Sequence, residues 1–226
     1  KWFGLRFRED ELNEDKDAKD WLEQCSKGIF QEFGKSNFST EVAESYQDLV
    51  GFGTSCLQFD VKTKDSVFDG FNFRACHLAE VVISENEEGK VDTVFRKLKL
   101  TARQAYQKFG KDAGDKAMKA LEKDPDQVFE YVQAVFPREI QGEPAMVAPP
   151  HQRPFACYFI SVADKKICKE SGYYELPFMV PRWAKTTGDQ YGFGPGCIAR
   201  ADVKTLNSAR KLAMRAWEKS IDPPLK

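Results

Sequence analysis

The sequence predicts an α+β protein. Two stretches near the start carry apolar residues at helical spacing, the middle alternates apolar and polar residues around a loop of hairpin length, and the end reads as one long helix. With 226 residues, 42% of them hydrophobic and 13% aromatic, the chain has enough apolar surface to bury a core in one large or two small domains.

Residues 15–33 place Ala18, Trp21, Leu22, Cys25, Ile29, Phe30 and Phe33 on one helical side, with Gly34 positioned to end the helix. A second helix is expected over about 39–50 through Val42, Ala43, Tyr46 and Leu49, broken by Gly51-Phe52-Gly53 before the alternation Leu57, Phe59, Val61. Short strands follow over 67–100. Within them Val81-Val82-Ile83 and residues 91–100 flank Asn86-Glu87-Glu88-Gly89-Lys90, whose glycine suits the positive φ of a hairpin turn. Thr101 is placed to cap a helix ending at Gly110, and a short helix over 116–123 stops before Pro125; both are expected to cover the hairpin. Residues 128–136 alternate as a strand, and 137–154, with five prolines and one glycine, read as a loop. Strands are expected again at 155–162 and 166–169, turned by Asp164-Lys165, and a last one near 177–180 is flanked by prolines, which suits a sheet edge.

The terminal helix is expected over about 203–220, capped by Asp202 and stopped by Pro223 and Pro224, since proline lacks an amide hydrogen and disfavours helix in the residue before it. One side carries Leu206, Ala209, Ala213, Ala216 and Trp217. The other carries Lys204, Ser208, Lys211, Arg215 and Lys219. Leu206, Arg210, Ala213 and Trp217 are therefore candidates for packing, Arg210 by pairing with a carboxylate of this or a neighbouring subunit. Lys204, Lys211, Arg215 and Lys219 form a stripe that can meet DNA phosphates without reading sequence, or can be a solvated face.

Thirty-four basic residues balance thirty-five acidic ones, a net charge of −1, so any DNA contact has to be local. No run approaches the roughly 18 apolar residues of a membrane helix, and the start is too short and charged for a signal peptide; a beginning without methionine reads as a piece of a longer product. The six cysteines are spread out with no C-x-x-C pair, which reads as reduced, structural thiols of a cytosolic assembly environment. His77 and His151 are too isolated for a zinc site. Gly192-Phe193-Gly194-Pro195-Gly196 before a helix invites a phosphate-loop reading. Yet no lysine followed by serine or threonine closes it and Pro195 removes a donor, so a tight turn is favoured. Glu87-Glu88 in a turn and Glu9-Asp10-Glu11 in a solvated leader lack partners for acid–base or nucleophilic work, and no enzyme, cofactor or metal is expected.

Several motifs together resemble a known family: Pro177-Phe178, Val180-Pro181-Arg182-Trp183, Tyr191-Gly192-Phe193-Gly194-Pro195-Gly196, Asp202-Val203-Lys204-Thr205-Leu206-Asn207 and Asp222-Pro223-Pro224, with Ser36-Asn37-Phe38 and residues 46–54 and 87–110 upstream. The chain is similar to the head-to-tail connecting portal proteins of short-tailed bacteriophages. That resemblance implies a portal-type wing over 1–199 and the start of a stem over 200–226, leading to a clip. It also implies a structural, homo-oligomeric ring, dodecameric in the family, at a capsid vertex of the virion, assembled in the host cytoplasm. Double-stranded DNA would be packaged and ejected through the ring, with the capsid and scaffolding proteins, the terminase and a tail adaptor as partners, and with no cofactor, catalysis or membrane. The alternative from the residues alone is a free-standing DNA-binding module that uses the terminal helix.

Overall fold

The structure is a computed structural model describing residues 2–64, 67–138 and 148–221. Its elements run α1 (Lys16–Lys35), α2 (Phe38–Phe52), β1 (Leu57–Lys64), β2 (Val67–Ala75), β3 (Val81–Glu85), β4 (Val91–Thr101), α3 (Ala102–Phe109), α4 (Asp115–Lys123), β5 (Val128–Pro137), β6 (Phe155–Ser161), β7 (Lys166–Tyr173), β8 (Phe178–Met179) and α5 (Pro195–Ile221). The strands form two antiparallel sheets, ordered β2-β1-β8 and β3-β4-β5-β6-β7. This is the α+β architecture that the periodicities predict.

Asp15 starts α1 by accepting the N–H groups of Asp17 and Ala18. The helix runs through Gly34 to Lys35, not ending at Gly34, because Ser36 takes the cap: its N–H and its hydroxyl both donate to Phe33 O. Asn37 then clamps the next helix to the small sheet. Its amide donates to Phe73 O at 2.7 Å and its carbonyl accepts the Phe73 N–H at 2.9 Å. Phe33, Phe38, Phe59, Phe71 and Phe73 form a cluster of ring contacts, with Phe33 stacked on Phe73 and the others tilted or edge-on. Gly51 stays helical in α2, and Gly53 at φ +86 ends it.

The hairpin β3–β4 turns where expected, with Gly89 at φ +74. Thr101 caps α3 reciprocally with Gln104. Ala105 and Phe109 of α3 and Ala117 of α4 share one buried cluster with Val94, Leu98, Tyr131 and Phe159 of the large sheet and with Phe178 of β8, so both sheets contribute to one core. Strand β7 extends four residues past Lys169 because its pairing with β6 continues to Phe155 opposite Tyr173. The turn between them holds Lys165 at φ +50. Strand β8 is short and lies at a sheet edge beside β1.

The expected loop over 137–154 is described only at its ends, and residues 139–147 lie outside the described residues, as do Pro223 and Pro224. All six cysteines are free thiols; Cys56, Cys76, Cys157 and Cys168 are buried. Among the described residues no helix is long and apolar enough to cross a membrane.

Candidate functional site

The terminal helix begins eight residues earlier than the capping argument predicts. Asp202 sits inside α5 and caps nothing; Pro195 takes the first position, where its missing N–H is harmless, and the residues up to Ala199 are already helical. The start is fixed there because the glycine run 192–196 docks backbone to backbone on the end of α2. A Cβ at Gly194 would meet Gly53 N at 2.6 Å and Val50 O at 2.8 Å, and one at Gly196 would meet Gly51 O at 2.6 Å. No side chain fits between the two glycine runs.

Hydrogen bonds close the same junction. Gly192 N–H donates to Thr54 Oγ1 at 2.7 Å, Trp183 N–H to Gly53 O at 2.9 Å, Ser55 N–H to Pro181 O at 3.2 Å and Phe193 N–H to Ala184 O at 2.6 Å. Arg182 reaches across to the β3–β4 hairpin, pairing with Glu85 and donating to Gly89 O at 3.2 Å; Lys185 Nζ joins Glu85 at 2.5 Å. The Tyr191 hydroxyl accepts the Ile83 N–H at 3.4 Å. Motifs as far apart as residues 46–54, 180–183 and 191–196 thus converge at the root of α5. The phosphate-loop reading is weakened as well, since the amides of Gly192 and Phe193 are engaged within the protein and Pro195 has none.

From Ile198 to Ile221 every residue of α5 is exposed, and among the described residues the helix packs chiefly around its start, against α2. The basic candidates Lys204, Lys211, Arg215 and Lys219 lie along one side, open to solvent. The packing candidates Leu206, Arg210, Ala213 and Trp217 are open too, with Leu206 68% and Trp217 67% exposed, so nothing among the described residues covers them. The earlier helix start adds Arg200 to the basic side, one turn before Lys204. Stepping the i, i+4 spacing backward toward Pro195 would have found Arg200; nothing in the sequence pattern announces which backbone the glycines approach.

Among the described residues no group of three or more His, Cys, Asp or Glu side chains is arranged to hold a metal ion. The His77 Nδ1 accepts the Ala79 N–H and so serves a local turn.

Compared with known proteins, residues 1–226 match the family described as Bacteriophage head to tail connecting protein. A probable portal protein of Bordetella phage BPP-1 is 28% identical over 227 residues, and a portal protein of Salmonella phage epsilon15 is 25% identical over 227 residues. Each alignment covers 99% of this chain and 40% of the relative, so the chain spans well under half the length of the curated relatives it matches.

Proposed function

The chain belongs to the bacteriophage head to tail connecting protein family, and on that premise we propose that it supplies the wing and the first stem helix of a portal, a non-enzymatic ring of identical subunits at one capsid vertex. In this reading the elements before α5 are the wing. Helix α5 descends from the glycine junction toward a clip, the ring passes double-stranded DNA, and its outer surfaces meet the capsid and scaffolding proteins, the terminase and a tail adaptor in the virion.

The observation that carries the reading is the bare state of α5. A helix standing alone in water is marginal, and its stability in proteins comes mostly from packing one face. Here Leu206 and Trp217, about 20° apart around the helix, are each more than 60% exposed. Such a row calls for a covering surface, and in a ring the covering surface is the neighbouring subunit, reached through a heterologous contact whose rotation closes. Leu206, Ala213 and Trp217 pack there, with Arg210 paired to a neighbour's carboxylate. The opposite side, Arg200, Lys204, Lys211, Arg215 and Lys219, is left for phosphates, where a few mobile cations guide a duplex without gripping it.

Balanced overall charge weighs against the free-standing DNA-binding module. Electron microscopy of the full-length protein separates the two readings: rings with a central hole are expected, and monomers that bind DNA without forming rings would favour the module instead.

A further inference from the structure

Cys56 and Cys76 face one another at the end of the β1–β2 pairing nearest the α5 junction. The register sets Leu57 opposite Ala75, and one step outward on each strand sets Cys56 opposite Cys76; the Cys76 N–H donates to Cys56 O at 2.8 Å. Opposed residues on antiparallel strands project from the same face, and both thiols belong to the same buried cluster, each residue 1% exposed. At a hydrogen-bonded position the Cα atoms stand about 5.5 Å apart, inside the roughly 4.4–6.8 Å that a disulfide spans. Hydrogen bonding with Cys76, then burial, pushes the Cys56 thiol up, while the same bond holds Cys76 below its ordinary value against burial, helped by the Arg96 guanidinium. Among the described residues no strand pairing sets two other cysteines opposite each other; Cys157 faces Ser171.

We propose that Cys56 and Cys76 are a modification site, a buried dithiol that closes to a cross-strand disulfide by exchange with a low-molecular-weight disulfide. Both thiols are buried, so the exchange runs through opening of the strand ends at Cys56 and Cys76; there the Cys76 thiol, its proton lost to water, attacks one sulfur of the small disulfide, whose S–S bond breaks, and one small thiolate leaves with the bonding pair. The Cys56 thiol loses its proton to water and attacks Cys76 Sγ, releasing the second small thiolate. The protein dithiol is thereby oxidised by two electrons and one small disulfide is reduced to two thiols. The bridge would tie β2 to the strand end that continues into Ser55 and Thr54, the residues that hold Pro181 and Gly192. It would stiffen the root of α5 whatever that helix meets.

The test uses the folded protein with oxidised glutathione, followed by alkylation of remaining thiols in acidic denaturant and peptide mapping without reduction. A peptide containing Cys56 linked to one containing Cys76 is expected as the dominant disulfide, several-fold above any other pair and lost on dithiothreitol. Cys25 and Cys197, partly exposed and unpaired with another cysteine, should carry glutathione. In Cys56→Ser the resolving thiol is gone and glutathione should accumulate on Cys76. Recovery of Cys56 and Cys76 as alkylated thiols while Cys25 is modified would overturn the proposal, as would glutathione on both without a link between them.

Discussion

The Thr54 hydroxyl accepts the buried Gly192 N–H at 2.7 Å across 138 residues of sequence. That bond joins the end of α2 to the start of α5 and sits beside a contact between glycine backbones, Gly53 against Gly194. A long exposed helix can be aimed only if its root is held, and this root is held by main chain, which leaves little freedom to swivel.

Thr54→Val removes the acceptor and keeps the shape, leaving the Gly192 amide buried without a partner. The expected cost is about 1–3 kcal/mol, read by urea denaturation. A loss below about 0.5 kcal/mol would mean the junction is looser than described.

Gly194→Ala and Gly28→Ala should move stability in opposite directions. At Gly194 the new methyl meets main-chain atoms that cannot step aside, and a loss of about 2–4 kcal/mol is expected. At Gly28, inside α1 with nothing within 4 Å of the added methyl, alanine should add about 0.5–1 kcal/mol by restricting the unfolded chain. Equal effects from both variants would remove the case for close approach.

Burial pushes the Tyr131 hydroxyl up to about 12, and it donates to Ala113 O at 2.7 Å. A folded-state value raised above the unfolded one, about 10 for tyrosine, contributes stability that is whole below pH 10 and is lost as pH climbs from about 10 to 12. Tyr131→Phe should cost about 1–3 kcal/mol at neutral pH and flatten that alkaline decline. Denaturant titrations at pH 8, 10 and 11 measure both.

The fold was legible because its signals are local. Asp15, Thr101 and Gly89 act on neighbours within a few residues, and alternation over 81–100 and 128–136 depends only on which face is buried. The start of α5 was not legible. Asp202 is a good capping residue by type, but the helix start is decided by two glycine runs more than 130 residues apart, a contact without periodicity. The same error hid Arg200. The sidedness of α5 was readable from 100° spacing, whereas the absence of a covering element among the described residues could be learned only from the structure.

Trp217, 67% exposed in this chain, supports nothing within it. Trp217→Ala should leave the melting of this 226-residue chain unchanged, yet cost roughly 3–5 kcal/mol wherever the side chain becomes buried in an assembly. A lowered melting temperature in the isolated chain would place Trp217 against other elements of the same chain.

The most direct test is a complementation assay that scores particle yield and DNA content separately for Lys211→Glu with Arg215→Glu, beside Trp217→Ala. If one side of α5 packs between subunits and the other lines the passage, the charge reversals leave heads assembling but change the packaged or retained DNA, while Trp217→Ala lowers particle yield. Wild-type yield and DNA content in the double reversal, or loss of assembly matching that of Trp217→Ala, would contradict it.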